Sequence, residues 1–224
     1  MSVGCPAVSV TGLYKSFVDG NEQVRVLENL TFTLPLHHST ALVGPSGSGK
    51  STLINILTGI EPPDAGAIRL FGETVSHSSQ KRWSQLRGQC IATVFQDANL
   101  MPTLSLANNI RLRAQLAGTS DANAEHWLNL LGLDNLGHRF PDQVSGGQRQ
   151  RAALAMAFAM RPALLLADEP TGSLDVATAR QVADALFHHQ QDTGCPMLLS
   201  THDPVLAARC DTTLSLMATG LGDP

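Results

Sequence analysis

Gly44-Pro45-Ser46-Gly47-Ser48-Gly49-Lys50-Ser51 has the residue types and spacing to grip a polyphosphate. Gly47 and Gly49 let the backbone bend so that successive N–H groups face one point. A helix starting near Lys50 adds its positive end, and the lysine adds a full charge beside β- and γ-phosphates. The Ser51 hydroxyl, followed by Thr52, is a hard oxygen suited to Mg²⁺. A glycine-rich turn with a solvated lysine is the plainer alternative. It is disfavoured because an apolar strand, Thr40–Val43, runs into the loop and helically spaced Leu53, Ile54, Ile56 and Leu57 run out of it. The motif does not choose between ATP and GTP.

A second constellation follows an apolar run. Leu164-Leu165-Leu166-Ala167 ends in Asp168-Glu169. An aspartate at such a strand end holds Mg²⁺ in phosphate-loop enzymes, and a neighbouring glutamate can deprotonate an attacking water. Alone, an Asp-Glu pair after an apolar run is more often a solvated strand end; the upstream phosphate loop gives it meaning. Between the two lies Val144-Ser145-Gly146-Gly147-Gln148. Gly146 and Gly147 would expose amides at a helix start, with the Ser145 hydroxyl beside them. Ser145 and Gln148 also form a capping-box pattern, and a capped helix end is what an anion site needs.

These three elements, in this order, resemble the ATP-binding cassette family, with Val144 where leucine is commoner. The resemblance covers nearly the whole chain. It implies ATP and Mg²⁺ as ligands and a head-to-tail homodimer, in which the Ser145–Gln148 signature of each copy covers the γ-phosphate held by the other. It gives Asp168, Ser51 and Gln96 to the metal, Glu169 to the general base and His202 to the γ-phosphate. Gln96 occupies the Q-loop position, and Ser173-Leu174-Asp175 matches the D-loop, where Asp175 would cross the dimer interface. Asp175 is equally suited to starting a helix. Phe17 aligns with the aromatic that stacks on adenine, with Tyr14 as the alternative, and either could pack in the core. Asp168–Asp175 and Phe95–Pro102 look closest to the lipoprotein-releasing, macrolide-export and cell-division branch. Met156 stands where arginine is usual, His37-His38-Ser39 where glycine-glutamate is usual, and Asn108 where glutamate is common.

The surrounding pattern is α/β. Strands are expected at 8–13, 30–34, 40–43, 67–71, 91–95, 164–167 and 197–201, and helices after Lys50 and over 79–87, 108–131, 145–160, 176–191 and from Leu206. Turn residues suggest breaks at Asp19-Gly20-Asn21 and at 118–121. Strands alternating with helices imply a parallel sheet. The expected architecture is a RecA-like P-loop core, 1–96 and 161–224, with an N-terminal antiparallel β part and an inserted helical lobe, 97–160. The whole chain reads as a single nucleotide-binding domain.

Composition narrows the function. The chain has 224 residues, 15 Lys plus Arg against 19 Asp plus Glu, and a net charge of −4, which offers nothing general to nucleic acid. The four cysteines are scattered, as expected for reduced thiols. The longest apolar stretch, 152–160, is too short to cross a bilayer, and the N-terminus lacks a secretory pattern. The resemblance implies an ATPase subunit on the cytoplasmic face of a membrane, driving a separate integral-membrane permease in export or extraction of apolar cargo, and this composition is compatible with it. Leu100, Met101, Pro102 and Leu104 are candidates for the permease contact. A dimerising regulatory module of a membrane complex, without transport, is the alternative. A GTPase is disfavoured because no guanine-reading Asn/Thr-Lys-x-Asp motif occurs. With the last strand expected at 197–201, no regulatory domain is expected after it.

Overall fold

The computed structural model describes residues 5–20, 22–119, 123–217 and 220–221. Asn21, Ser120 and Asp121, part of the two expected breaks, lie outside them. The chain divides into two compact units, residues 1–84 with 196–224 and residues 85–195.

In the first unit, β1 (Val8–Asp19) pairs antiparallel with β2 (Glu22–Leu34) and with β4 (Ala65–Leu70), and β5 (Glu73–Thr74) extends that sheet. This is the expected antiparallel part, but its first two strands run farther than alternation suggested. Register shifts after Val10 and Leu13 break the two-residue period, and Gly12 takes φ 56°, so the pattern stops reading as a strand while pairing continues. A second sheet carries β3 (Ser39–Val43), which leads into α1 (Lys50–Leu57). Leu53, Ile54, Ile56 and Leu57 are fully buried, as their spacing predicted.

β3 lies between β8 (Met197–Ser200) and β9 (Thr212–Met217), parallel to both, with β10 (Gly220–Leu221) antiparallel to β9. β9 lies beyond 197–201, the last strand expected from the sequence. Its Thr-Thr-Leu-Ser-Leu-Met pattern is only weakly apolar, and its place is set from outside. Asp211 accepts hydrogen bonds from the Ser39 amide (2.8 Å) and hydroxyl (2.7 Å), and Thr40 meets Thr212 at 2.9 Å. The expected helix from Leu206 is also corrected: α7 is Pro204–Ala207. Asp203 caps it by accepting from the Val205 amide at 2.8 Å, and Pro204 sits where its missing N–H costs nothing. His37 adopts φ 62°, so the unusual His37-His38-Ser39 turn places histidine in a conformation that favours glycine.

In the second unit, β6 (Ile91–Val94) and β7 (Leu164–Asp168) are parallel, with Val94 opposite Ala167. α2 (Gln80–Gln89) enters this unit, followed by α3 (Leu106–Leu116), α4 (Ala124–Leu130), a short 3₁₀ turn at Pro141–Gln143, α5 (Gly146–Ala159) and α6 (Val176–Thr193). Gly118 and Thr119 follow the end of α3, and Asn123 caps α4. The proposed lobe, 97–160, falls wholly within this unit. Among described residues, no helix is long and apolar enough to cross a membrane.

One buried group here makes stability depend on pH. The His189 ring stacks on Phe158 (centroids 3.9 Å, 9°) with Trp127 edge-on at 6.2 Å. Its Nε2 is buried without a hydrogen-bond partner. Burial pushes its pKa down from 6.5 to about 4, against a weaker opposing pull from Asp192. The unfolded chain therefore binds the proton more readily. Stability is complete above the unfolded value of 6.5 and is lost as pH falls toward 4, by on the order of 3 kcal/mol. Melting temperature followed between these limits should fall steeply in the parent chain and less so in His189→Phe. Parallel curves for the two would sink this account.

Candidate functional site

The phosphate loop is built as its sequence requires. Gly49 takes φ 95° at the start of α1, and no side chain caps that helix end. A Cβ on Gly49 would stand 2.8 Å from Val26 Cγ1 and 2.9 Å from Leu27 Cδ2, so β2 packs on the loop's backbone and excludes any larger residue. The buried Lys50 ammonium turns into the loop, donating to the carbonyl oxygens of Gly44 (3.0 Å) and Pro45 (3.2 Å). Ser48 Oγ is buried and has no hydrogen-bond partner, while Ser51 is exposed on the first helical turn. Pro45, Ser46 and Gly47 are exposed, Gly44 and Thr52 half-buried.

His202 reaches this loop from the far end of the chain. β8 runs beside β3, and the Thr201 amide donates to the Leu42 carbonyl at 3.2 Å. His202 Nε2 then lies 3.3 Å from Lys50 Nζ. An ammonium only donates, so a hydrogen bond here needs Nε2 as its acceptor. Phe17, near the end of β1, is 40% exposed and Tyr14 39% exposed, so neither is a core side chain. Lys15 Nζ lies 5.0 Å from the Phe17 ring centroid.

The second unit brings together three other candidates. Parallel pairing of β6 and β7 puts Gln96 and Asp168-Glu169 at the same strand ends. Gln96 Nε2 stands 3.7 Å from where a Gly172 Cβ would lie, and the Gly172 amide donates to the Glu169 carbonyl at 3.1 Å. Asp168 and Glu169 are half-buried, and Glu169 has φ 46°. A left-handed glutamate is uncommon, and here it turns the chain sharply just after the strand.

Ser145 caps α5 as its pattern predicted. Its Oγ accepts from the Gln148 amide (3.2 Å), and Gln148 Oε1 accepts from the Ser145 amide (2.8 Å). Used as an acceptor, the hydroxyl keeps its own proton for an outside oxygen. A Cβ on Gly146 would meet only Arg149 Nη2, in ordinary contact at 3.8 Å, but a Cβ on Gly147 would stand 2.5 Å from Thr178 Cγ2. Thr178 belongs to the first turn of α6, which Asp175 caps. Hydrogen bonds from the Thr178 hydroxyl (2.6 Å) and from the Thr178 and Ala177 amides (3.1 Å each) hold the Asp175 carboxyl below its ordinary range.

Two positioning residues escaped the sequence reading. Gln150, 2% exposed, donates to the Phe95 carbonyl at 2.8 Å and so ties α5 to the end of β6 just before Gln96. Asn109, 3% exposed, accepts from the Met101 amide (2.7 Å) and donates to the carbonyls of Met101, Leu104 and Ser105. It shapes the segment that leaves Met101 52% exposed. Neither carries a local sequence signal, because each reads as an ordinary helical polar residue until its burial is known. Asn108, noted for departing from glutamate, is exposed. Among described residues, no cluster of three His, Cys, Asp or Glu side chains could hold a metal alone.

A sequence model of the ABC transporter family matches residues 27–172. The chain is 40% identical over 214 residues to the ABC transporter ATP-binding protein YbbA of Escherichia coli K12, covering 94% of each. It is 38% identical over 220 residues to the lipoprotein-releasing system ATP-binding protein LolD of Anaeromyxobacter dehalogenans, covering 96% of this chain and 92% of LolD. The ATP-binding cassette MJ0796, solved as a post-hydrolysis dimer bound to ADP and Pi, superposes with TM-score 0.89 at 27% identity, covering 96% of this chain and 97% of that one.

Proposed function

From the premise that this chain belongs to the ABC transporter family, as its ATP-hydrolysing subunit, we propose that two copies close head to tail on ATP and drive a separate integral-membrane permease. The reading extends to Mg²⁺ as cofactor, to a position on the cytoplasmic face of the membrane through that permease, and to export or extraction of apolar cargo. The observation that carries it is the meeting of Lys50 and His202 at 3.3 Å, two groups suited to a terminal phosphate joined at one glycine loop from positions 152 apart. Similarity to LolD and to the dimeric MJ0796 cassette supports the transport and dimer parts.

The groups present suit the ligands. The orphaned Ser48 hydroxyl and the glycine cradle at Gly49 suit phosphate oxygens. Ser51, Gln96 and Asp168 each carry a hard oxygen, the donor type Mg²⁺ prefers. When bound, Mg²⁺ would neutralise charge on the phosphates. Water attacks the γ-phosphorus in line with the departing ADP oxygen. Glu169 takes the water's proton, and Lys50 and His202 stabilise charge on the γ-phosphate. Ser145, Gly146, Gly147 and Gln148 of the opposite copy supply a pre-organised helix end, and Asp175 lies at the closed interface.

Head-to-tail closure is tested by joining separate copies. One copy carries Ser46→Cys and the other Ser145→Cys, both with the exposed Cys5 replaced by serine. A short thiol-bridging reagent should yield a covalent dimer from the mixture when ATP is bound, and little without it. Equal yields with and without ATP would refute closure on ATP.

A further inference from the structure

Two ammonium groups are buried among the described residues, Lys50 in the phosphate loop and Lys15 in β1. No step above uses Lys15. It is 7% exposed, and its Nζ meets Glu61 Oε1 at 2.5 Å, the Pro62 carbonyl at 2.9 Å and Asp64 Oδ1 at 3.3 Å. Asp64 is a second anchor on the same stretch. Its Oδ2 accepts from the Ser16 amide (2.7 Å) and hydroxyl (2.8 Å), and its amide donates to the Tyr14 carbonyl at 2.9 Å. Residues 14–16 are thus bolted to the turn that follows α1, the helix whose first residue is Lys50. A second route joins the same parts: Lys15 lies opposite Leu27 on β2, and Leu27 packs on Gly49 of the loop.

Phe17 is two residues farther along β1, about 7 Å on. Phe17 is 40% exposed, and the Lys15 ammonium lies 5.0 Å from its ring centroid. A cation on one face draws on the ring's negative quadrupole. That weakens the repulsion an aromatic ring otherwise feels toward a second π-system stacked on its free face.

We propose that Lys15 is a positioning residue for the base of ATP: clamped by Glu61, Asp64 and the Pro62 carbonyl, it backs the Phe17 ring and presents the other face to the adenine. This rests on the reading of Phe17 as the base platform. Lys15 acts through the ring and touches neither phosphate nor water, so its effect separates from that of Lys50.

The test measures binding of ATP and, separately, of inorganic tripolyphosphate, which has the charge but no base. Lys15→Met keeps the aliphatic stem and removes the cation. It should weaken ATP binding about five- to tenfold, leave tripolyphosphate within about twofold, and raise KM with kcat little changed. Lys15→Arg should restore ATP binding to within about twofold. Equal weakening of both ligands by Lys15→Met would overturn the proposal, since the lysine would then merely support the fold. Full ATP affinity in Lys15→Met, alongside a loss in Phe17→Ala, would overturn it too. Unchanged ATP affinity in Phe17→Ala would instead remove the platform reading itself. Should Lys15→Met fail to fold, Glu61→Gln loosens the clamp while leaving Asp64 in place. It must then show a smaller loss of the same base-dependent kind, and no such loss would count against the proposal.

Discussion

Replacing Lys50 by alanine is expected to reduce ATP turnover by at least about 10²–10³-fold, the scale of losing one pre-organised donor to a developing charge. The loss should exceed that of a neutral donor. The ammonium carries a full charge and is buried at the centre of its loop, where little water screens it. The effect should fall on binding as well as chemistry, because a charge beside the phosphates acts on the bound ground state and on the transition state. Equilibrium dialysis with ATP, beside a steady-state assay, separates the two. The substitution also strips a donor from the Gly44 and Pro45 carbonyls, so a melting curve belongs with the assay. A folded Lys50→Ala chain that turns ATP over within tenfold of the parent would remove this lysine from the mechanism.

Glu169→Gln should behave differently. The shape and size of the side chain survive, but the amide cannot take a proton from water. Turnover should fall about 10²–10⁴-fold, the usual worth of a positioned general base. ATP binding should persist, since the glycine loop, Lys50 and Ser51 are untouched. Under closure on ATP, hydrolysis is what lets the copies part, so the variant should accumulate as an ATP-bound dimer, detectable by light scattering after gel filtration. Its backbone is already in the left-handed region, at φ 46°, and glutamine tolerates that as well as glutamate does. Parental turnover in this variant, or a monomer with saturating ATP, would contradict the assignment. The two substitutions are thus distinguished by one measurement: Lys50→Ala should remain a monomer, and Glu169→Gln should not.

Much of the molecule was legible in local pattern. The loop-to-helix passage at Gly49-Lys50, the Ser145–Gln148 capping box and the buried run 164–167 each depend on neighbours within four residues, and each folds as read. What local reading lost depends on distant pairing. β9 is weakly apolar and is held by Ser39 and Thr40, some 172 residues earlier. The outer halves of β1 and β2 lost their alternation to register shifts. Asn109 and Gln150 look like ordinary helical polar residues until burial shows what their amides hold.

The sequence by itself determined the kind of chemistry, because glycines, a lysine, paired carboxylates and a capped serine helix act through residue type and short spacing. It equally determined the family, through the order of those motifs. The tertiary structure alone decided which groups meet. Lys50 finds His202 because β3 and β8 pair in parallel, Gln96 stands by the Glu169 turn because β6 and β7 do, and Lys15 backs Phe17 because Glu61 and Asp64 return to β1. Such meetings are fixed by strand register and buried charge pairing, interactions between residues far apart in the chain that no local pattern records.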